Sequence, residues 1–348
     1  MARSGAVLLV FLLFAALAAG APATDSSLCI SCHRAQSSEQ PHTSMARALS
    51  RVGESEILRS NPKLTFREGD YSYQIANDGA AITYTVTDGN ETLRVPLQWS
   101  FGLGTAGQTY VYQRRGQWYE TRLSYYQAIR GLDLTPGHKP ALPRSLEDAA
   151  GRFLDASETP RCFGCHATNA VVEGRLSLAG ITPGVQCERC HGPAAKHVEA
   201  MKTGDLKAAA MPKLGKLPAE DLSNFCGQCH RTWAEVAMNG PHDINNVRFQ
   251  PYGLTNSRCY DPADPRIRCV ACHDPHREVV KSAAAYDPKC LACHGGSDAN
   301  SPAKAKPCPS ANKNCVTCHM PKYELPGAHK LFTHHQIRIA KPGEPYPN

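Results

Sequence analysis

One five-residue pattern, C-x-x-C-H, occurs seven times in this chain of 348 residues and limits what it can fold into. The copies are Cys29-Cys32-His33, Cys162-Cys165-His166, Cys187-Cys190-His191 and Cys226-Cys229-His230, then Cys269-Cys272-His273, Cys290-Cys293-His294 and Cys315-Cys318-His319. They consume all but two of the 16 cysteines. The pattern is that of covalent c-type haem attachment. Two thiols three residues apart lie on one side of a helical turn, where they can add to the two vinyl groups on one edge of a macrocycle. The next residue brings an imidazole beneath the ring as an axial iron ligand. Zinc ribbons also use C-x-x-C pairs, but two pairs per metal, so an odd number does not fit, and they do not require His after every pair. The expectation is seven covalent haems c.

The spacing of the motifs organises the rest. The first stands alone, residues 34–161 carry none, and the other six crowd into residues 162–319. That leaves about 26 residues per haem, too few for separate apolar cores. The haems themselves must be the core, with short helical segments wrapped round them. The gap reads differently. Leu64-Thr65-Phe66, Tyr71 to Ile75, Ile82 to Val86, Leu93-Arg94-Val95, Thr109 to Tyr112 and Trp118 to Thr121 alternate and are rich in β-branched and aromatic residues. Glu68-Gly69-Asp70, Asp78-Gly79, Asp88-Gly89-Asn90 and Arg115-Gly116 separate them as turns. The expected fold class is α+β: a largely irregular, short-helical multihaem domain round stacked haems, with a small antiparallel β-meander of five or six strands inserted after the first site. The expected boundaries are an export signal at 1–23, an N-terminal segment with the first haem site at 24–60, the β domain at 61–130, a Pro-rich linker at 131–161, and a six-haem domain at 162–348.

The export signal rests on Arg3, an apolar run from Ala6 to Ala19, and an A-x-A site at Ala21-Pro22-Ala23. The run is too short to span a bilayer comfortably. No later segment is apolar for long enough, so no transmembrane segment is expected after cleavage. The expected location is the periplasm or the cell exterior, where disulfides form. Cys259 and Cys308, the two cysteines outside motifs, are therefore expected to pair.

Beyond the seven motif histidines stand His42, His138, His197, His242, His276, His329, His334 and His335. Seven irons each need a sixth ligand, so bis-His ligation is favoured, with His42, His197, His276 and His335 ahead of His242, His138 and His329 as candidates. His276 lies only three positions after His273, at most about 11 Å of chain, which cannot encircle a macrocycle. His276 must serve a different haem or none. Gly192-Pro193 breaks the chain between His191 and His197, so His197 is also expected to serve a neighbour.

The net charge of the chain is +7, from 38 Lys and Arg against 31 Asp and Glu. Removing Arg3 with the signal leaves +6. Seven haems add about −14 in propionates and, when ferric, about +7 at the porphyrin cores, so the oxidised protein stands near −1 and the reduced one near −8. The basic balance compensates propionates and does not point to nucleic acid.

Four segments, Gly184 to Val198, Cys269 to His276, Cys315 to Lys322 and Phe332 to Ile339, resemble exported multihaem cytochromes of the cytochrome c554 and c552/4 group. The resemblance covers mainly residues 160–340. It implies distal-ligand roles for His197 and His276, and makes His335 a better match than His334 to the last motif. It does not by itself choose a reaction; because all seven motifs end in His and bis-His ligation leaves no iron open to substrate, the expected function is electron transfer between redox protein donors and acceptors, a membrane quinol-oxidising complex being one candidate. The alternative is a multihaem reductase or oxidoreductase acting on a small nitrogen or sulfur compound at one haem with an open axial position.

Overall fold

The computed structural model describes residues 27–295 and 307–347. The expected export signal lies outside them.

Nine strands form the main sheet: β1 (Leu49–Arg51), β2 (Lys63–Glu68), β3 (Tyr71–Asn77), β4 (Ile82–Thr87), β5 (Thr92–Phe101), β6 (Gln108–Arg114), β7 (Gln117–Tyr126), β8 (Gly131–Leu134) and β9 (Gly151–Leu154). Strands β2 to β8 follow one another in sheet order as in sequence, with β1 added to β5 and β9 to β7. Every pairing is antiparallel. The turns come from local chemistry. In the β3–β4 turn, Asp78 Oδ1 accepts from the backbone N–H groups of Ala80 and Ala81, and Gly79 takes φ +86°, which a side chain would strain.

A β-bulge between Leu97 and Trp99 splits the sheet's aromatics into two cores. Without it, residues two apart would share a face. With it, Leu93, Val95 and Leu97 join Tyr73, Tyr84 and Tyr112 in one cluster, while Trp99 and Phe101 join Leu49, Trp118 and Leu154 in a second. The second cluster also takes in Phe163, between the two cysteines of a C-x-x-C-H motif.

Residues 131–161, expected as a Pro-rich linker, hold regular structure. They contribute β8, the helical turn Leu146–Ala150 and β9, and both strands add to β7. These strands are four residues long and show no alternation, so their place comes from β7's free backbone groups rather than from their own pattern. Arg122 fixes the loop between them. It is nearly buried, pairs with Glu68 at 2.6 and 2.7 Å, and donates to the carbonyls of Lys139 and Ala141 at 3.3 and 2.8 Å.

Beyond β9 the chain runs in short helices; the longest of those described is Ala219–His230, 12 residues. A two-stranded hairpin, Lys322–Leu325 with Lys330–Thr333, lies near the C-terminus. Among the described residues no helix is long and apolar enough to cross a membrane.

Candidate haem-attachment sites

Each C-x-x-C-H motif lies on a helical turn. The helices are Glu158–His166, Cys187–His191, Ala219–His230, Cys269–Cys272, Asp287–His294 and Cys315–His319. The first motif starts in Ser27–Ile30 and continues as a turn in which the His33 N–H donates to the Cys29 carbonyl at 2.8 Å. The geometry brings both thiols to one side of the turn, as attachment to one macrocycle edge requires.

Distant parts of the chain hold these turns in place. In Cys162-Phe163-Gly164-Cys165 the Phe163 ring is fully buried and edge-on to Trp99, Phe101 and Trp118, at centroid distances of 5.9, 5.1 and 5.4 Å. The sheet's second core therefore anchors this motif. Ahead of Cys187, Val185 donates to the Met45 carbonyl at 2.9 Å and accepts from Gln40 Nε2 at 2.6 Å. Gly184 sits at φ +77°, so close to the N-terminal segment that a Cβ would stand 1.7 Å from the Ala46 carbonyl oxygen. Asp287, at the start of the sixth motif's helix, accepts from the Asn314 and Cys315 N–H groups at 2.7 and 2.9 Å and so seats the seventh. Neighbouring motifs also meet: Cys165 Sγ lies 3.6 Å from the Gln228 carbonyl, and Arg189 reaches the Gly164 carbonyl at 2.9 Å and Cys229 Sγ at 3.8 Å.

Among the described residues, three pairs of histidine rings face one another: His33 with His197 at 6.3 Å between centroids, His191 with His276 at 6.1 Å, and His273 with His335 at 6.2 Å. A metal held by two imidazoles, each nitrogen about 2 Å away, sets the ring centroids about 6 Å apart. In each pair one member belongs to a C-x-x-C-H motif and the other does not. The second shell fits as well. A ligating imidazole usually donates its other ring N–H to a carbonyl or carboxylate. The Nδ1 of His197 lies 2.6 Å from the Ala209 carbonyl, that of His335 3.0 Å from Thr333, and that of His276 3.2 Å from the Asp274 carboxylate. Among motif histidines, His166 Nδ1 is 3.0 Å from the Ala48 carbonyl and His319 Nδ1 2.9 Å from that of Arg338. Burial pushes His335 down to about 4 and lowers His166, His191, His230 and His273. All are thereby held as the neutral imidazole, the form that binds a metal.

The other histidines named from sequence stand elsewhere. The Nε2 of His329 is 2.7 Å from an Asp133 carboxylate oxygen, and its ring meets Tyr126. His138 is half-buried, its side chain covered and its Nε2 3.7 Å from the Glu120 carboxylate. His42 and His242 are exposed, and among the described residues neither faces a second imidazole at the separation of the three pairs. His334 is buried beside Tyr346, whose hydroxyl lies 3.3 Å from its Nε2.

The expected Cys259–Cys308 disulfide is not formed; both thiols are free and exposed. They sit in different surroundings. Cys259 neighbours motif cysteines 272, 290 and 293, while Cys308 takes backbone N–H groups from Ser310 and Ala311. The Phe163 cage and the partner of each motif histidine were not visible in sequence. The run of aromatics in β5 and β7 was the one available signal for the cage.

A family profile described as cytochrome c554 and c-prime matches residues 132–192, from β8 through the motif ending at His191. The chain is similar to the multiheme cytochrome MtrA of Shewanella baltica (strain OS185), 29% identical over 185 residues, which is 49% of this chain and 49% of that protein. It thus spans about half the length of the curated relative it matches. Among solved structures, the outer cell wall cytochrome OcwA aligns with a TM-score of 0.34 and 18% identity over 60% of this chain and 37% of that one.

Proposed function

We propose that this multihaem c-type cytochrome carries seven covalent haems c and passes electrons between redox proteins outside the cytoplasm. One observation carries the reading: three non-motif histidines each face a motif histidine at 6.1 to 6.3 Å. Bound haem c supplies a one-electron iron couple. The fourteen motif cysteines hold the macrocycles and the seven motif histidines serve as proximal ligands. His197, His276 and His335 supply the sixth ligands opposite His33, His191 and His273. His42, His242, His138 and His329 remain candidates for the other sites, the last two after leaving their carboxylate partners.

Two imidazoles on an iron leave no position for substrate and favour electron transfer over chemistry at the metal. The contacts of Cys165, Arg189 and Cys229 support close approach of the second, third and fourth sites, and those of Asp287 with Asn314 and Cys315 support close approach of the sixth and seventh. The partners fitting this role are soluble or membrane redox proteins, among them a quinol-oxidising complex, and the location fitting the expected signal is the periplasm or cell exterior.

A second reading has its own observation. Among the described residues, His166, His230 and His319 face no second imidazole at that separation. An open position at one of them would suit reduction or oxidation of a small nitrogen or sulfur compound.

Carbon monoxide added to the dithionite-reduced protein separates the two. An unmoved Soret band supports electron transfer throughout; a shifted band from one haem supports the oxidoreductase. Intact mass of the mature protein tests the count, and fewer than seven haems retained through acid acetone overturns it.

A further inference from the structure

The lysines of residues 195–217 are unevenly placed for a chain whose charge is otherwise scattered. This stretch holds five lysines, Lys196, Lys202, Lys207, Lys213 and Lys216, against two acids, Glu199 and Asp205. All five are exposed. The difference of three positive charges is nearly half of the net +7, carried on 23 residues. The acids do little to cancel it. Glu199 reaches Lys202 only at 3.9 Å in open solvent, where such a pair is weak. The Asp205 carboxylate is occupied in accepting from the Lys207 and Ala208 N–H groups.

Three of these lysines are tied to one particular place. Lys196 and Lys202 lie on the helix Ala195–Thr203 that carries His197. Lys207 lies two residues before Ala209, whose carbonyl holds His197 Nδ1 at 2.6 Å. Across from them the His33 ring faces His197 at 6.3 Å, and Arg34, also exposed, follows it. The first motif is the one set apart in sequence from the other six, and its cysteines are only partly covered or exposed. Two propionates there would remove about two charges and a ferric core restore about one, leaving a positive pole on a protein that is net negative in its holo form.

We propose that this lysine patch is the docking surface for an acidic electron-transfer protein, and that electrons enter or leave the chain at the His33–His197 site. A local positive field on a molecule of opposite net charge orients an acidic partner before contact and speeds encounter. Exchange there needs no atom or proton: the partner and the iron at this site trade one electron. The proposal rests on the reading of His33 and His197 as one haem's ligands.

The test uses the intact holoprotein and oxidised flavodoxin as a small acidic probe, with binding read by titration calorimetry at low ionic strength. Charge reversal of Lys196, Lys202 and Lys207 together to Glu is expected to weaken binding about tenfold or more, with the difference gone in about 0.5 M salt. A control reversing Lys63, Arg67 and Arg94 on the β domain is expected to change binding less than twofold. Reduction by the singly reduced methyl viologen cation is expected to be at least as fast in the patch variant as in the parent. Equal binding by parent and patch variant, or equal loss in patch and control variants, overturns the proposal. The underlying haem reading has a separate readout, the low-spin spectrum of His197→Ala: if it matches the parent, His197 is no ligand and the port loses its electron site, whatever the flavodoxin affinity.

Discussion

The ring centroids of His191 and His276 lie 6.1 Å apart with the ring planes 8° from parallel, and Asp274 orients the second of them by accepting from both its backbone N–H and its ring. His273, three residues before His276, turns to His335 instead. Pro275 directs this divergence. It fixes its own φ and keeps Asp274 out of the helical region, so the chain leaves its own motif before it reaches the neighbour's.

Replacing His276 by Ala is expected to leave all seven haems attached and to turn one of them high-spin, with a raised potential as the basic ligand is lost. Electron paramagnetic resonance with redox titration checks this. A spectrum equal to the parent's, or a change at the haem of His273 in place of that of His191, contradicts it.

Phe163→Ala removes the ring that Trp99, Phe101 and Trp118 enclose. A fully buried Phe truncated in this way is expected to cost about 3–5 kcal/mol. Because the residue lies between two haem cysteines, the same variant should broaden the signals of the haem on His166. Guanidinium denaturation gives the first number; a cost under about 1 kcal/mol would mean the cage closes on its own.

Gly184 and Gly174 share a left-handed conformation, φ +77° and +76°, but differ in their surroundings. At Gly174 an added Cβ meets nothing within 4 Å; at Gly184 it meets the Ala46 carbonyl. Gly174→Ala should cost about 1 kcal/mol of backbone strain, and Gly184→Ala clearly more, since the Val185–Met45 hydrogen bond would have to move too. Equal melting points for the two variants would refute the steric account.

Cys259 and Cys308 should both react with a thiol reagent in denaturant without reductant. In the native protein Cys308 should react first near neutral pH. The N–H groups of Ser310 and Ala311 lower its pKa, whereas desolvation raises that of Cys259, and the thiolate is the reactive form. Failure of both to label in denaturant would restore the disulfide.

The local features were legible in sequence and the long-range ones were not. Alternation and Gly turns outlined β2 to β7 because each strand is long enough to show a period of two. The strands β1, β8 and β9, at three or four residues, are too short for that, and they form because β5 and β7 offer them partners. The bulge before Trp99 left no mark either, so the sequence could not say that Leu97 and Trp99 face different cores. The C-x-x-C-H motifs read plainly because their chemistry is confined to five residues. Their facing histidines did not, since His33 and His197 meet only through the fold. Chain reach showed which haem His276 could not serve but not which one it faces.

The three facing histidines share a direction: His197, His276 and His335 all lie after the motif histidine they meet. Synthesis from the N-terminus makes each of these motifs before the residue that its histidine meets. Were haems attached as the motifs emerge, these sites would stand half-finished until the partner followed, the N-terminal one completed first and the C-terminal one last. A chain cut short before Lys330 would lose His335, the partner of His273, together with the Arg338 carbonyl beside His319 and the second strand of the C-terminal hairpin, so incomplete products of synthesis would differ from the finished protein at its last sites and not at His33 or His191.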